Sequence, residues 1–86
     1  GRNEEMRPAD LVKGLESTLN IVWNDLKYKA KVERIYGDLP AVECHASEIN
    51  QVFMNLLINA GQAIAERGVI TLACGVEGEE AWVSIA

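Results

Sequence analysis

The sequence predicts an α+β fold, a two-layer sandwich in which helices pack on one face of a mixed, mostly antiparallel sheet in the order α-β-β-α-β-β. Two segments carry apolar residues at helical spacing, and shorter apolar or β-branched segments lie between Gly and Pro turns. The chain has 86 residues, 49% of them hydrophobic and 24% charged, which is the composition of one small globular domain.

A polar lead-in is predicted for residues 1–8, and the domain itself for residues 9–86. The first helix is expected over residues 9–27, since Pro8 and Asp10 are residues that favour a helix start. Apolar residues then recur at intervals of three and four: Leu11, Leu15, Leu19, Val22 and Leu26. This helix therefore has one face for a core.

The first strand is predicted over residues 30–36, followed by a Gly- and Pro-containing turn at residues 37–40. Residues 41–44 are expected to form a short extended segment.

A second helix is predicted over residues 47–67, with Ser47 as its N-cap and Gly68 ending it. The β-branched residues 69–76 and the segment 80–86 then form a hairpin around a Glu-Gly-Glu turn.

Charge and composition exclude several functions. The net charge of −5 and the scarcity of aromatic residues argue against a nucleic-acid partner, because phosphate contacts need clustered Lys and Arg. No apolar run is long enough to span a membrane, and residues 1–7 lack the apolar stretch of a signal peptide. A cytoplasmic location is expected for this part of the protein.

The two cysteines, Cys44 and Cys74, are thirty residues apart, and the sole histidine is His45. This set is too small for a zinc site. We interpret the cysteines as small buried hydrophobes in a reducing compartment, and His45 as a local structural residue at a helix start.

The second helix carries a narrow polar stripe in which uncharged amides dominate and which contains no Lys or Arg. Its members are Glu48, Gln51, Asn55, Asn59, Gln62 and Glu66. Burying amides without partners costs about 1–3 kcal/mol each, so the stripe should face solvent, a polar groove or a ligand. Asn55 and Asn59 lie one turn apart, and their carbonyls could together serve Mg²⁺ or the phosphates it carries.

Residues 50–64 resemble the N box of sensor histidine kinases, a helix with the pattern QVxxNLLxNAxxA. The matching positions are Gln51, Val52, Asn55, Leu56, Leu57, Asn59, Ala60 and Ala63. The flanking pattern agrees as well, so the resemblance extends over residues 10–86.

The resemblance implies a Bergerat-type ATP-binding sandwich, shared with DNA gyrase, Hsp90 chaperones and MutL in the GHKL superfamily, with ATP and Mg²⁺ as cofactors. Asn59 would bind the metal, and Asn55 and Gln62 would contact the nucleotide. Asn55 also occupies the catalytic position at which ATP-hydrolysing relatives carry a general-base glutamate. An amide cannot take a proton from water, which suits a kinase that keeps ATP for transfer.

The family pattern continues with a DxGxG segment, an ATP lid and further strands, whereas this sequence ends at Ala86. The resemblance therefore implies the N-terminal half of the domain, inactive alone, from a parent kinase with or without a membrane anchor. The parent would phosphorylate its own histidine and signal to a response regulator. An exposed strand edge over residues 81–86 would favour a homo-oligomer.

Two alternatives remain open from the sequence. A serine-kinase anti-sigma factor carries an N box of similar spacing. A non-catalytic α+β interaction module would instead turn the asparagine stripe toward a partner helix.

Overall fold

The computed structural model describes residues 5–86, so residues 1–4 of the predicted lead-in lie outside the described residues. The elements are β1 Arg7–Ala9, α1 Leu11–Leu26, β2 Ala30–Tyr36, β3 Val42–Cys44, α2 Ala46–Gln62, β4 Gly68–Glu77 and β5 Glu80–Ile85. The α+β class is confirmed, with both helices packed against mixed sheet structure.

Two sheets are present in the described part of the chain. The larger has the strand order β2-β4-β5, with β2 parallel to β4 and β5 antiparallel to β4. The smaller pairs β1 with β3 in antiparallel register. Strand β1 was not predicted, because a three-residue segment centred on Pro8 carries no alternating pattern. Only its pairing with β3 makes it a strand.

The core lies between the two helices and the larger sheet. Leu15, Leu57, Ile70 and Leu72 are the largest fully buried side chains, and they come from α1, α2 and β4. The core cluster also contains Leu19, Val22, Leu26, Ala30 and Phe53. The apolar stripe of α1 is thus buried as its spacing predicts, apart from partly buried Leu11 at the start of the helix.

The two helices run parallel and approach closely at both ends. A Cβ atom added to Gly14 would lie 2.5 Å from Asn50 Oδ1, and one added to Gly61 would lie 2.5 Å from Leu26 Cδ2. Glycine within a helix is unfavourable by about 1 kcal/mol relative to alanine. At these two positions an alanine Cβ would lie too close to the other helix, so glycine permits the close packing. These two contacts determine which side of α2 faces outward.

Helix α2 is shorter than predicted and begins one residue earlier. His45, rather than Ser47, is the N-cap residue, with extended backbone and no capping hydrogen bond from its side chain. The helix ends at Gln62 instead of residue 67. The chain must turn there, because the Gly68 amide donates to the Lys29 carbonyl at 2.9 Å and β4 starts in register with β2.

A polar cluster ties α1 to β2. The Arg34 guanidinium binds the Glu16 carboxylate through two hydrogen bonds of 2.6 and 3.0 Å, and the Tyr36 hydroxyl donates to the same carboxylate at 2.6 Å. The hydrogen bond from Arg34 holds the pKa of Glu16 below its usual value. Partial burial and the bond to Glu16 raise the pKa of Tyr36.

Acid should therefore weaken this link. A carboxyl whose pKa is lower in the folded state stabilises the fold above its unfolded pKa of 4.5, and that stabilisation is lost as pH falls through the folded value. Because both side chains are partly exposed, Glu16→Gln is expected to cost only about 1 kcal/mol at pH 7.

Urea unfolding at pH 7 and pH 3 tests this expectation. The difference between wild type and Glu16→Gln should shrink at the lower pH, because the wild-type carboxylate is then becoming protonated. An equal difference at both pH values would show that the charge of Glu16 contributes nothing.

The cysteines are as predicted: Cys44 and Cys74 are both free and buried. The Cys74 thiol lies 3.7 Å from the Gly37 carbonyl oxygen, to which it donates a weak hydrogen bond. Over residues 5–86, no helix is both long and apolar enough to cross a membrane.

Candidate functional site

The outward side of α2 carries the candidate site. Asn55, Asn59 and Gln62 are all exposed, and they lie on successive turns of this 17-residue helix. Spacings of four and three residues put side chains on one face of a helix. The structure therefore brings the three amides named by the sequence onto a common exposed surface, which we call the amide face.

Most hydrogen-bonding groups of the amide face have no protein partner among residues 5–86. The Gln51 amide donates to Asn55 Oδ1 at 3.4 Å, a long contact between residues one turn apart. Within residues 5–86, the side chains of Asn59 and Gln62 make no hydrogen bond to protein. These two amides are therefore free to bind water or a ligand.

Apolar side chains flank the amide face, which differs from the predicted narrow polar stripe on a buried helix. Val52 is 50% exposed, and Leu56 and Ile58 are each 41% exposed. Only Phe53, Leu57 and Gly61 of α2 are buried. The pattern alone could not show this, because α2 is apolar on both sides of the stripe and only packing decides which side is covered.

Of the three amides, Gln62 lies beside a cavity between the ends of the two helices. This cavity has a volume of about 260 Å³, and Asp25, Lys29 and Ile58 line it together with Gln62. Sequence analysis missed Asp25 and Lys29, which become neighbours of Gln62 only through the parallel packing of α1 and α2.

The amide face can bind a metal ion only together with a phosphate that supplies further ligands. No group of three or more His, Cys, Asp or Glu side chains that could hold a metal occurs among residues 5–86. Mg²⁺ usually keeps several waters and takes only one or two protein ligands beside substrate phosphates. The free Asn59 carbonyl fits one such ligand position, so the donor set suits Mg²⁺ that arrives with phosphate.

The chemistry open to this surface is binding rather than proton transfer. Asn55 Oδ1 accepts the bond from Gln51, which leaves the Asn55 NH₂ group as a donor. Neutral amides neither give up nor take protons near neutral pH. The amide face can therefore orient an anionic or metal-bound ligand, but it holds no general base.

Solved structures of histidine kinases share this fold. The catalytic domain of the histidine kinase ThkA, in a nucleotide-free form, matches with a TM-score of 0.86 at 21% identity over 95% of this chain. The histidine kinase AdeS of Acinetobacter baumannii matches with a TM-score of 0.80 at 21% identity over 93% of it. No family model matches the chain, and no curated protein matches it.

The chain spans only part of those structures, 57% of the ThkA chain and 40% of the AdeS chain. At 21% identity the likeness establishes the fold. The chain thus has the fold of histidine kinase catalytic domains, and its amide face lies on α2.

Proposed function

We propose that this chain, which has the fold of histidine kinase catalytic domains, supplies the Mg-ATP-binding helix of a sensor histidine kinase. One observation carries the proposal. Three amides at N-box spacing, Asn55, Asn59 and Gln62, are exposed together on α2, and the last two make no side-chain hydrogen bond to any protein group among residues 5–86.

The three amides have different roles in this proposal. The Asn59 carbonyl oxygen is a ligand of Mg²⁺, and the NH₂ group of Asn55 donates to a phosphate oxygen. Gln62, at the end of α2, contacts the phosphates from the side of the helix C-terminus. When bound, Mg²⁺ supplies positive charge that neutralises the phosphate oxygens.

Phosphoryl transfer rather than hydrolysis fits Asn55. With an amide at this position the protein has no base here to activate water, so bound ATP persists until a histidine side chain accepts its phosphoryl group. The acceptor histidine and the response regulator belong to the proposed parent kinase. A cytoplasmic location is part of the proposal, and the two free cysteines support it.

Titration calorimetry of the chain with ATP tests the proposal. We expect saturable binding that requires Mg²⁺ and is weaker than micromolar, because Asn55 and Asn59 are exposed on the helix surface and the nucleotide would be covered on one side only. Micromolar affinity would contradict the expected weakness. Binding that is unchanged when EDTA removes Mg²⁺ would contradict the role of Asn59.

We also propose that the chain forms a homo-oligomer through the edge of β5. In the described structure β5 pairs only with β4. The backbones of Ala86 and Thr71 donate hydrogen bonds to each other. Hydrogen-bonded and non-hydrogen-bonded residue pairs alternate along an antiparallel ladder, so the N–H groups of Ala81, Val83 and Ile85 point away from β4. An open edge of this kind is a template for another strand.

Ala81→Pro should lower the mass measured by light scattering from that of an oligomer to that of a monomer. Proline removes an outward N–H group and leaves the bonds to β4 intact. Ala81→Gly keeps that N–H group and should stay oligomeric. A monomeric wild type at high concentration would rule out pairing through this edge.

A further inference from the structure

A basic cavity lies at the end of the larger sheet where β2 and β4 begin. Its volume is about 150 Å³. The lining residues come from the turn after α1, from the start of β2 and from the start of β4: Lys27, Tyr28, Lys29, Ala30, Lys31, Arg67 and Gly68. We call this cavity the basic pocket.

The charge of the basic pocket opposes that of the whole chain. Four of the eight Lys and Arg residues line it, although the net charge of the chain is −5. No carboxylate lines it, and within residues 5–86 none of its four cations forms an ion pair. Like charges held together repel, so the arrangement favours an anion among them.

The frame of the basic pocket is fixed by backbone hydrogen bonds. Ala30 and Gly68 are register partners in the parallel pair, and the Gly68 amide donates to the Lys29 carbonyl at 2.9 Å. The Lys29 amide donates in turn to the Leu26 carbonyl at 3.0 Å. The two segments that carry the cations are thus held together before any ligand binds.

An aromatic side chain stands at the rim. Tyr28 is 76% exposed, the highest value among the large hydrophobic side chains of the described residues. The Lys27 Nζ atom lies 5.2 Å from the centroid of its ring, within the range of a cation–π contact. The Tyr28 hydroxyl adds a neutral hydrogen-bond donor beside the cations.

We propose that the basic pocket binds a phosphate group. A phosphate group carries several acceptor oxygens and one or two negative charges, one in the diester of a lipid headgroup and close to two in a monoester, which matches four cationic residues around a small cavity. The basic pocket contains none of the three amides of the amide face, and its Lys29 also lines the cavity beside Gln62.

The phosphate could belong to a soluble metabolite or to the headgroup of an anionic lipid. Clustered lysines beside an exposed tyrosine suit a membrane surface, whereas a concave cavity suits a small free anion. Both sources present phosphate oxygens to the same cations, and separate arms of the test distinguish them.

The soluble arm is calorimetric titration of the full chain with inorganic pyrophosphate at low salt. We expect binding that weakens as salt rises, and a loss of roughly tenfold or more in Lys29→Gln/Lys31→Gln. The matched control is Arg7→Gln/Lys13→Gln, which also removes two positive charges, but at positions outside the pocket. It should change affinity by less than roughly twofold. Thermal unfolding checks that both variants remain folded.

The lipid arm is co-sedimentation with vesicles of phosphatidylserine and phosphatidylcholine, compared with phosphatidylcholine alone. Binding to the anionic vesicles, lost in Lys29→Gln/Lys31→Gln but not in the control, supports the proposal with a lipid source. Binding to pyrophosphate alone supports it with a soluble source. If wild type binds neither, or if the two double variants lose affinity equally, the basic pocket is not a phosphate site.

Discussion

Leu57→Ala is expected to lower the free energy of unfolding by about 2–5 kcal/mol. The Leu57 side chain is fully buried between α1, α2 and β4, and its removal takes away burial energy and leaves a cavity. A small domain has a total stability of about 5–15 kcal/mol, so much of the margin would be lost. Urea unfolding followed by circular dichroism measures the change.

The neighbouring residue supplies the matched control. Leu56 has the same side chain on the same helix but is 41% exposed, so Leu56→Ala should cost less than about 1 kcal/mol. If the two variants lose similar stability, α2 is rotated relative to the orientation described above. The exposure of the amide face would then be wrong as well.

Asn59→Ala is expected to weaken Mg-ATP binding by roughly tenfold, which corresponds to about 1.4 kcal/mol. The substitution removes the proposed metal ligand while leaving the helix favourable, since alanine is the best helix former. Because wild-type binding is expected to be weak, nuclear magnetic resonance titration is the suitable measurement.

Asn24→Ala is the control for this variant, because Asn24 is an exposed amide within α1 and away from the proposed site. It should bind Mg-ATP as wild type does. Equal binding by wild type and Asn59→Ala would remove Asn59 from the site. It would favour the interaction module, in which the asparagine stripe faces a partner helix and exposed Val52 and Leu56 lie beside it.

Local pattern was sufficient for the elements that contribute strongly to the core. Strand β2 occupies residues 30–36 as predicted, and the hairpin of β4 and β5 turns at Gly78, which has a positive φ of 65°. A left-handed residue in a tight turn is normally glycine. In these segments apolar spacing and turn residues agree with the tertiary structure.

The parts of the fold that the sequence did not predict correctly depend on tertiary contacts. Strand β1 exists because it pairs with β3, and α2 ends early because Gly68 must meet Lys29 at the start of the parallel strands. Both depend on contacts between segments distant in sequence, which periodicity does not report. The close approach of Asn50 to Gly14 likewise joins segments distant in sequence.

The candidate site was predictable as a pattern but not as a surface. The spacing of Asn55 and Asn59 placed them on one helix face, whereas the exposure of the flanking apolar residues became visible only in the packed structure. The basic pocket escaped notice because Arg67 is thirty-six residues from Lys31 in the chain. A count of charged residues along the sequence does not show which of them lie close together in the folded chain.

The central claim is that the amide face of α2 contacts the metal end of Mg-ATP. Paramagnetic broadening tests this most directly, with Mn²⁺ replacing Mg²⁺ while side-chain NH₂ signals are recorded. The account predicts that the signals of Asn55, Asn59 and Gln62 broaden first and those of Asn20 and Asn24 on α1 stay sharp. Earlier broadening on α1, or uniform broadening of all five, would contradict it.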